Sequence, residues 1–163
     1  MLSKKMEAAL NGQLNAELFS SYLYLSMAAY FESTNMQGMA KWMKVQAKEE
    51  EEHGMKFFDH IVDRNGRVKL TAIEAPESEW ASPLAVFQAA YAHEQKVTAM
   101  IDGLVKLAKE EGDAATGTFL QWFVTEQVEE EKSADEVVQK LKMVKDAAPA
   151  LLMLDAVLGK RGE

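Results

Sequence analysis

The chain has 163 residues, enough for one domain with a real hydrophobic core. It contains no cysteine, which excludes disulfides, thiolate catalysis and iron–sulfur ligation. Its net charge of −8, from 26 acids against 18 bases, disfavours nucleic acid and anionic membranes as partners and is compatible with attracting cations.

The opening residues MLSKKMEAAL hold no apolar core of signal-peptide length. No run approaches the ~18 apolar residues of a membrane span. A cytoplasmic location is expected. Apolar residues recur at helical spacing through Met6, Leu10, Leu14, Leu18, Leu25 and Ala28, which predicts a first helix over about 4–33. A second, over about 38–64, carries Met39, Met43, Ala47, Phe57 and Ile61 on one stripe and stops at Asn65-Gly66. From Gly66 to Ala81 the helical period disappears. Ser82-Pro83 then supplies an N-cap and a first-turn proline for a third helix, about 82–111. Gly112 ends it, Asp113 caps a fourth over about 114–145, and a short apolar fifth helix follows Pro149 at about 150–158. The fifth helix either completes the bundle or sits at an assembly axis.

The connections set the topology. The first pair and the second pair are joined by short loops, so each is an antiparallel hairpin. The segment between them reaches roughly 50 Å when extended, enough to travel the length of a ~40 Å helix. The chain is therefore expected to form a single all-α domain, a four-helix bundle with one long crossover between the second and third helices.

Within this scheme the stretch KEEEEHGM, Lys48 to Met55, is anomalous. Four consecutive helical residues spread over roughly 300° of the helix circumference, so at least one glutamate points inward. Every long helix repeats the anomaly near its midpoint: Glu17 on the first, Glu50 with His53 on the second, Glu94 on the third, and Glu126, Gln127 and Glu130 on the fourth. Midpoints meet at one level whichever way a helix runs. An isolated buried carboxylate is costly, whereas several converging on one imidazole make sense around a multivalent cation. Oxygen ligands with one histidine suit iron or manganese better than structural zinc. Glu50 and His53, at i and i+3, form a two-ligand chelate in which Glu50 can bridge two ions. Binding requires ionised carboxylates, so activity is expected to fall with acidification through their titration range, and a flat rate down to about pH 4, near the ordinary carboxylate value, would count against this. Glu51, Glu52, Glu110 and Glu111 read as solvated, His60 as packed or half-exposed, His93 as facing out, and Tyr24, Trp42, Trp80 and Trp122 as core.

The segments NAELFSSYLYLSMAAYF, KEEEEHGMKFFDHI, NGRVKLTAIEAPESEW and FLQWFVTEQVEEE together resemble the prokaryotic non-haem ferritins over essentially the whole chain. The resemblance implies a ferritin-like fold and a homo-oligomeric hollow shell, usually of twenty-four subunits. It implies a ferroxidase that oxidises Fe(II) to Fe(III) with O2 or peroxide at a di-iron centre and stores ferric mineral. By position, Glu17, Glu50 and His53 match the ligands of the first iron, and Glu50, Glu94 and Glu130 those of the second, with Gln127 alongside. Glu49, Glu126 and Glu129, with Glu130, match a third iron site, and Tyr24 and Trp122 match aromatic residues placed near the centre as electron donors. Bacterioferritins differ at two places: a second Glu-x-x-His on the fourth helix, where this chain has Glu130, and a haem-binding methionine, where it has Glu51. Haem is not expected. Rubrerythrins need a cysteine-rich segment that this chain lacks, and the acids of the animal-type iron channel would fall at Gly117 and Leu120. The rival readings are a di-iron peroxidase or oxygenase with another substrate, and a passive iron buffer.

Overall fold

The computed structural model describes all residues, 1–163, and contains five helices and no strand. They are α1 (Lys4–Ser33), α2 (Gln37–Asp63), α3 (Pro83–Glu110), α4 (Ala114–Val144) and α5 (Ala148–Leu158). The four-helix bundle with a short fifth helix is as expected, and the boundaries differ by one or two residues.

Local chemistry explains the ends. Ser3, Ser82 and Asp113 each accept a hydrogen bond from a backbone N–H in the first turn of α1, α3 and α4. Gly112, at φ +66°, takes the left-handed conformation that closes α3. After α1 and α2 that conformation falls to asparagine, Asn35 and Asn65, rather than to the neighbouring glycines. Pro149 lies in the first turn of α5 rather than before it, a position where its missing N–H costs nothing.

The buried apolar residues fall into two separate clusters. One joins Leu23 to Phe31 of α1, Met39 to Ala47 of α2, Val86 to Ala90 of α3 and Val137 to Leu141 of α4. The other joins Met6 to Leu14, Phe57 and Ile61, Val97 to Ala108, and Leu120 and Phe123. The second thus contains the start of α1, the end of α2, the end of α3 and the start of α4. The hairpins are antiparallel, and α3 runs parallel to α2. Residues 66–82 make this possible by lying along α1. Asn11 Nδ2 donates to the carbonyl of Arg67 at 2.9 Å, Asn15 Nδ2 to Thr71 Oγ1 at 3.0 Å, and Ser26 Oγ to the carbonyl of Glu77 at 2.6 Å.

The start of α2 has no capping side chain of its own. Asp155 of α5 supplies one, accepting from the N–H groups of Gly38 at 3.1 Å and Met39 at 2.8 Å. This approach is so close that a Cβ at residue 38 would lie 1.8 Å from the Asp155 carbonyl oxygen. Gly38→Ala is therefore expected to cost about 1–3 kcal/mol and to loosen α5. Urea denaturation with hydrogen exchange over residues 148–158 checks this. Unchanged exchange there would contradict it.

Candidate metal centre

Between the two apolar clusters lies a polar layer. Gln13, Glu17 and Ser20 come from α1, Gln46, Glu50 and His53 from α2, Glu94 from α3, and Gln127 and Glu130 from α4; all are buried. Along each helix these residues replace apolar ones at mid-height, from Gln13 to Ser20 on α1 and from Gln46 to His53 on α2, with only Leu14 and Ala47 apolar among the buried positions between.

Two groups of ligand atoms, each within 4.8 Å of one another, meet in this layer: Glu17, Glu50 and His53, and Glu50, Glu94 and Glu130. Glu50 belongs to both. A third group, His53, Glu126 and Glu130, shares two of these residues and reaches the rim through half-buried Glu126. Glu49 and Glu129 are in none of the groups. Glu49 is held by Arg161 at 3.0 Å, and Glu129 is exposed. Gln127 donates at 3.2 Å to the backbone carbonyl of Glu94 and to Thr98 Oγ1, so its amide braces α3 against α4.

The carboxylates divide their oxygens. Glu17 Oε1 accepts from Gln13 at 3.0 Å, Glu50 Oε1 from Gln46 at 2.9 Å, and Glu94 Oε2 from the Tyr24 hydroxyl at 3.0 Å. The other oxygen of each, Glu17 Oε2, Glu50 Oε2 and Glu94 Oε1, is buried with no hydrogen-bond partner, although His53 Nδ1 lies 3.3 Å from Glu50 Oε2, outside hydrogen-bond geometry. Buried polar atoms without a partner are uncommon and costly. Three on one carboxylate cluster form an arrangement that could hold cations. Burial raises the pKa of Glu17 and Glu50 well above the ordinary value, with neighbouring carboxylates adding to it. Glu94 and Glu130 are pushed up to about 8, chiefly by burial. Without a cation, the cluster holds protons at neutral pH.

Gln13 and Gln46 were not anticipated from the sequence. Each stands four residues before a ligand candidate, in QLNAE and QAKEE, a spacing that stacks both side chains on one face of the helix. His93 does not face out as expected. Its Nε2 lies 2.7 Å from Ser20 Oγ and its ring meets the Tyr24 ring edge-on, because the turn from Glu94 aims it at α1. Burial, with Lys96 nearby, lowers its pKa to about 4 and keeps it neutral. His60 stacks on Phe119 and hydrogen-bonds Thr116. Trp122 is not core. It is 42% exposed, its ring standing edge-on to His53 and Lys56 Nζ lying 4.0 Å from its centroid. A cation on that face opposes removal of an electron from the ring.

Residues 7–144 match the family described as Ferritin, ferritin-like domain. The chain is 43% identical over 161 residues to a bacterial non-heme ferritin of Bacteroides fragilis, covering 99% of this chain and 100% of that protein. A bacterial non-heme ferritin of Staphylococcus aureus is 38% identical over 161 residues, covering 99% and 97%. Among solved structures, an open-pore ferritin from the hyperthermophilic archaeon Archaeoglobus fulgidus superposes with a TM-score of 0.98 at 53% identity, covering 99% of each chain. A form of the Archaeoglobus fulgidus ferritin engineered to be closed gives 0.98 at 54% identity, covering 99% and 98%.

Proposed function

This chain belongs to the ferritin family, and from that premise we propose that it is an iron-storage subunit with ferroxidase activity at a two-iron centre inside its bundle. The observation that carries the reading is the set of three unpartnered carboxylate oxygens, one each on Glu17, Glu50 and Glu94, aimed into one buried layer. Glu17 and His53 hold one Fe(II), Glu94 and Glu130 the other, and Glu50 spans both. Gln13, Gln46 and Tyr24 orient the ligands by fixing the oxygen that does not bind.

Each Fe(II) gives up one electron. O2 takes the two electrons with two protons and leaves as hydrogen peroxide; peroxide as oxidant takes them with two protons to give water. The carboxylates favour the product because an anionic cluster stabilises Fe(III) more than Fe(II). The Tyr24 hydroxyl faces Glu94, so an electron drawn from this phenol can be matched by transfer of its proton to that carboxylate. A third cation position uses Glu126 and Glu130, with Glu49 and Glu129 joining from the rim after leaving Arg161 and solvent. Fe(III) then passes into a ferric core within a homo-oligomeric shell of twenty-four subunits. Apolar Tyr22 and Leu25 on α1, Leu70 and Ile73 on the crossover, and Leu152, Met153 and Val157 on α5, all exposed on the single chain, support burial between copies.

The test is anaerobic loading with two Fe(II) per chain, then oxygen, followed by absorbance from the near-ultraviolet to the red. The parent is expected to oxidise iron far faster than buffer, and Glu17→Ala at least about tenfold more slowly than the parent. Oxidation no faster than in buffer would leave a passive binder.

A further inference from the structure

Outside the ligand set, one hydrogen-bonded chain runs from beyond α5 to the carboxylate cluster. Arg161, in the turn after α5, folds back over α2. Its guanidinium carbon lies 4.1 Å from the Trp42 ring centroid, and Nη1 donates to the Trp42 carbonyl at 3.2 Å. Nη2 donates to Gln46 Oε1 at 2.7 Å and to Glu49 Oε2 at 3.0 Å. Gln46 is only 1% exposed, and its amide nitrogen donates to Glu50 Oε1 at 2.9 Å and to Glu130 Oε2 at 2.7 Å.

These contacts determine which way the amide faces. Arginine only donates, so the Gln46 atom beside it must be the oxygen, and the NH2 end must face the carboxylates. Both of its hydrogens are then used, one on a ligand from α2 and one on a ligand from α4. Gln46 is the sole hydrogen-bond donor to Glu130. We propose that Arg161, acting through Gln46, is a positioning residue for the second cation, the one held by Glu50, Glu94 and Glu130. This rests on the two-iron reading above. With Arg161 absent the buried amide oxygen loses its charged partner, and the contact that holds the amide in place against Glu50 and Glu130 is lost with it. Glu17 takes its hydrogen bond from Gln13 instead, so the first cation position meets this relay only through Glu50, the ligand the two positions share, whereas the second meets it through both Glu50 and Glu130.

A purely structural role for Arg161, stapling the last turn onto α2, would lower stability without distinguishing the two cations. The experiment is an anaerobic Co(II) titration of the assembled protein, followed by calorimetry and by the visible ligand-field bands of Co(II). The parent is compared with Arg161→Ala, Arg161→Lys and Gln46→Met. Gln46→Met keeps the length and nearly the volume of the side chain but cannot donate to Glu50 or Glu130. The parent is expected to bind two Co(II) per chain. Arg161→Ala and Gln46→Met weaken one of them by about 10- to 100-fold and change its bands, with the other, which shares only Glu50 with the relay, weakened distinctly less. Arg161→Lys, which restores a donor, recovers part of the loss. Two unchanged Co(II) sites in both variants, or equal weakening of both sites, would overturn the inference alone. A parent that binds no pair of Co(II) would overturn the two-cation reading itself, and the inference with it.

Discussion

The metal-free Glu50→Gln variant is expected to unfold at a higher temperature than the parent at pH 8, and the same variant, given Fe(II), to have lost rapid oxidation. Both effects have one cause. Glu50 is 1% exposed, belongs to both ligand groups, and faces Glu94 and Glu130. Without cations, the folded chain must keep this carboxyl protonated or bear an uncompensated buried charge, whereas the unfolded chain ionises it freely. The penalty grows with pH at about 1.4 kcal/mol per unit above the ordinary carboxyl value. Glutamine keeps the volume and does not titrate, so it removes the penalty. The gain should be greatest at alkaline pH, appear as a rise in unfolding temperature of roughly 2–4 °C for each kcal/mol, and shrink toward nothing near pH 4.5. The same substitution takes an oxygen from both iron positions at once. Rapid oxidation should fall at least about 100-fold, equivalent to about 2.7 kcal/mol in the barrier. Glu17→Gln touches one group only and should fall less. Calorimetric unfolding of metal-free samples at pH 5 and pH 8, with stopped-flow oxidation, decides the matter. A variant no more stable than the parent at pH 8 would refute the argument.

Cation binding releases protons. Glu94 and Glu130, at about 8, are mostly protonated at pH 7, and Glu17 and Glu50 are raised well above the ordinary range as well. Two divalent cations should displace on the order of two to four protons per chain, read from binding enthalpies in buffers of different ionisation enthalpy. The sign for stability follows. These acids have folded pKa values above their unfolded values, so between pH 4.5 and about 8 the native state holds more protons. Stability of the metal-free protein is therefore full below pH 4.5 as far as these groups are concerned, and is lost as pH rises to about 8. Ordinary salt-bridged carboxylates give the opposite slope. Fewer than one proton released at pH 7, or metal-free stability that climbs between pH 5 and 8, would contradict this. The expected fall of activity with acidification accordingly begins nearer neutral pH than the ordinary carboxyl range, because burial shifts the carboxyls themselves.

The helices, their caps and the long crossover were legible in the sequence because each depends on neighbours a few residues apart. Ser82-Pro83 and Gly112-Asp113 act within one turn, and a 3.6-residue apolar period needs no knowledge of what it packs against. The inward rows of Glu17, Glu50, Glu94 and Glu130 were legible for the same reason: a carboxylate on an apolar stripe is visible before its partner is known. What those carboxylates meet is a property of the packed bundle. Only the tertiary structure brings Arg161 within reach of Gln46, 115 positions away in the chain, and Asp155 onto the first turn of α2. Only there does His93 turn to Ser20, Trp122 remain at the surface and Glu49 go to Arg161. Helical spacing places a side chain on a face. Which of its oxygens is satisfied and which is left bare is decided by donors that arrive from other helices.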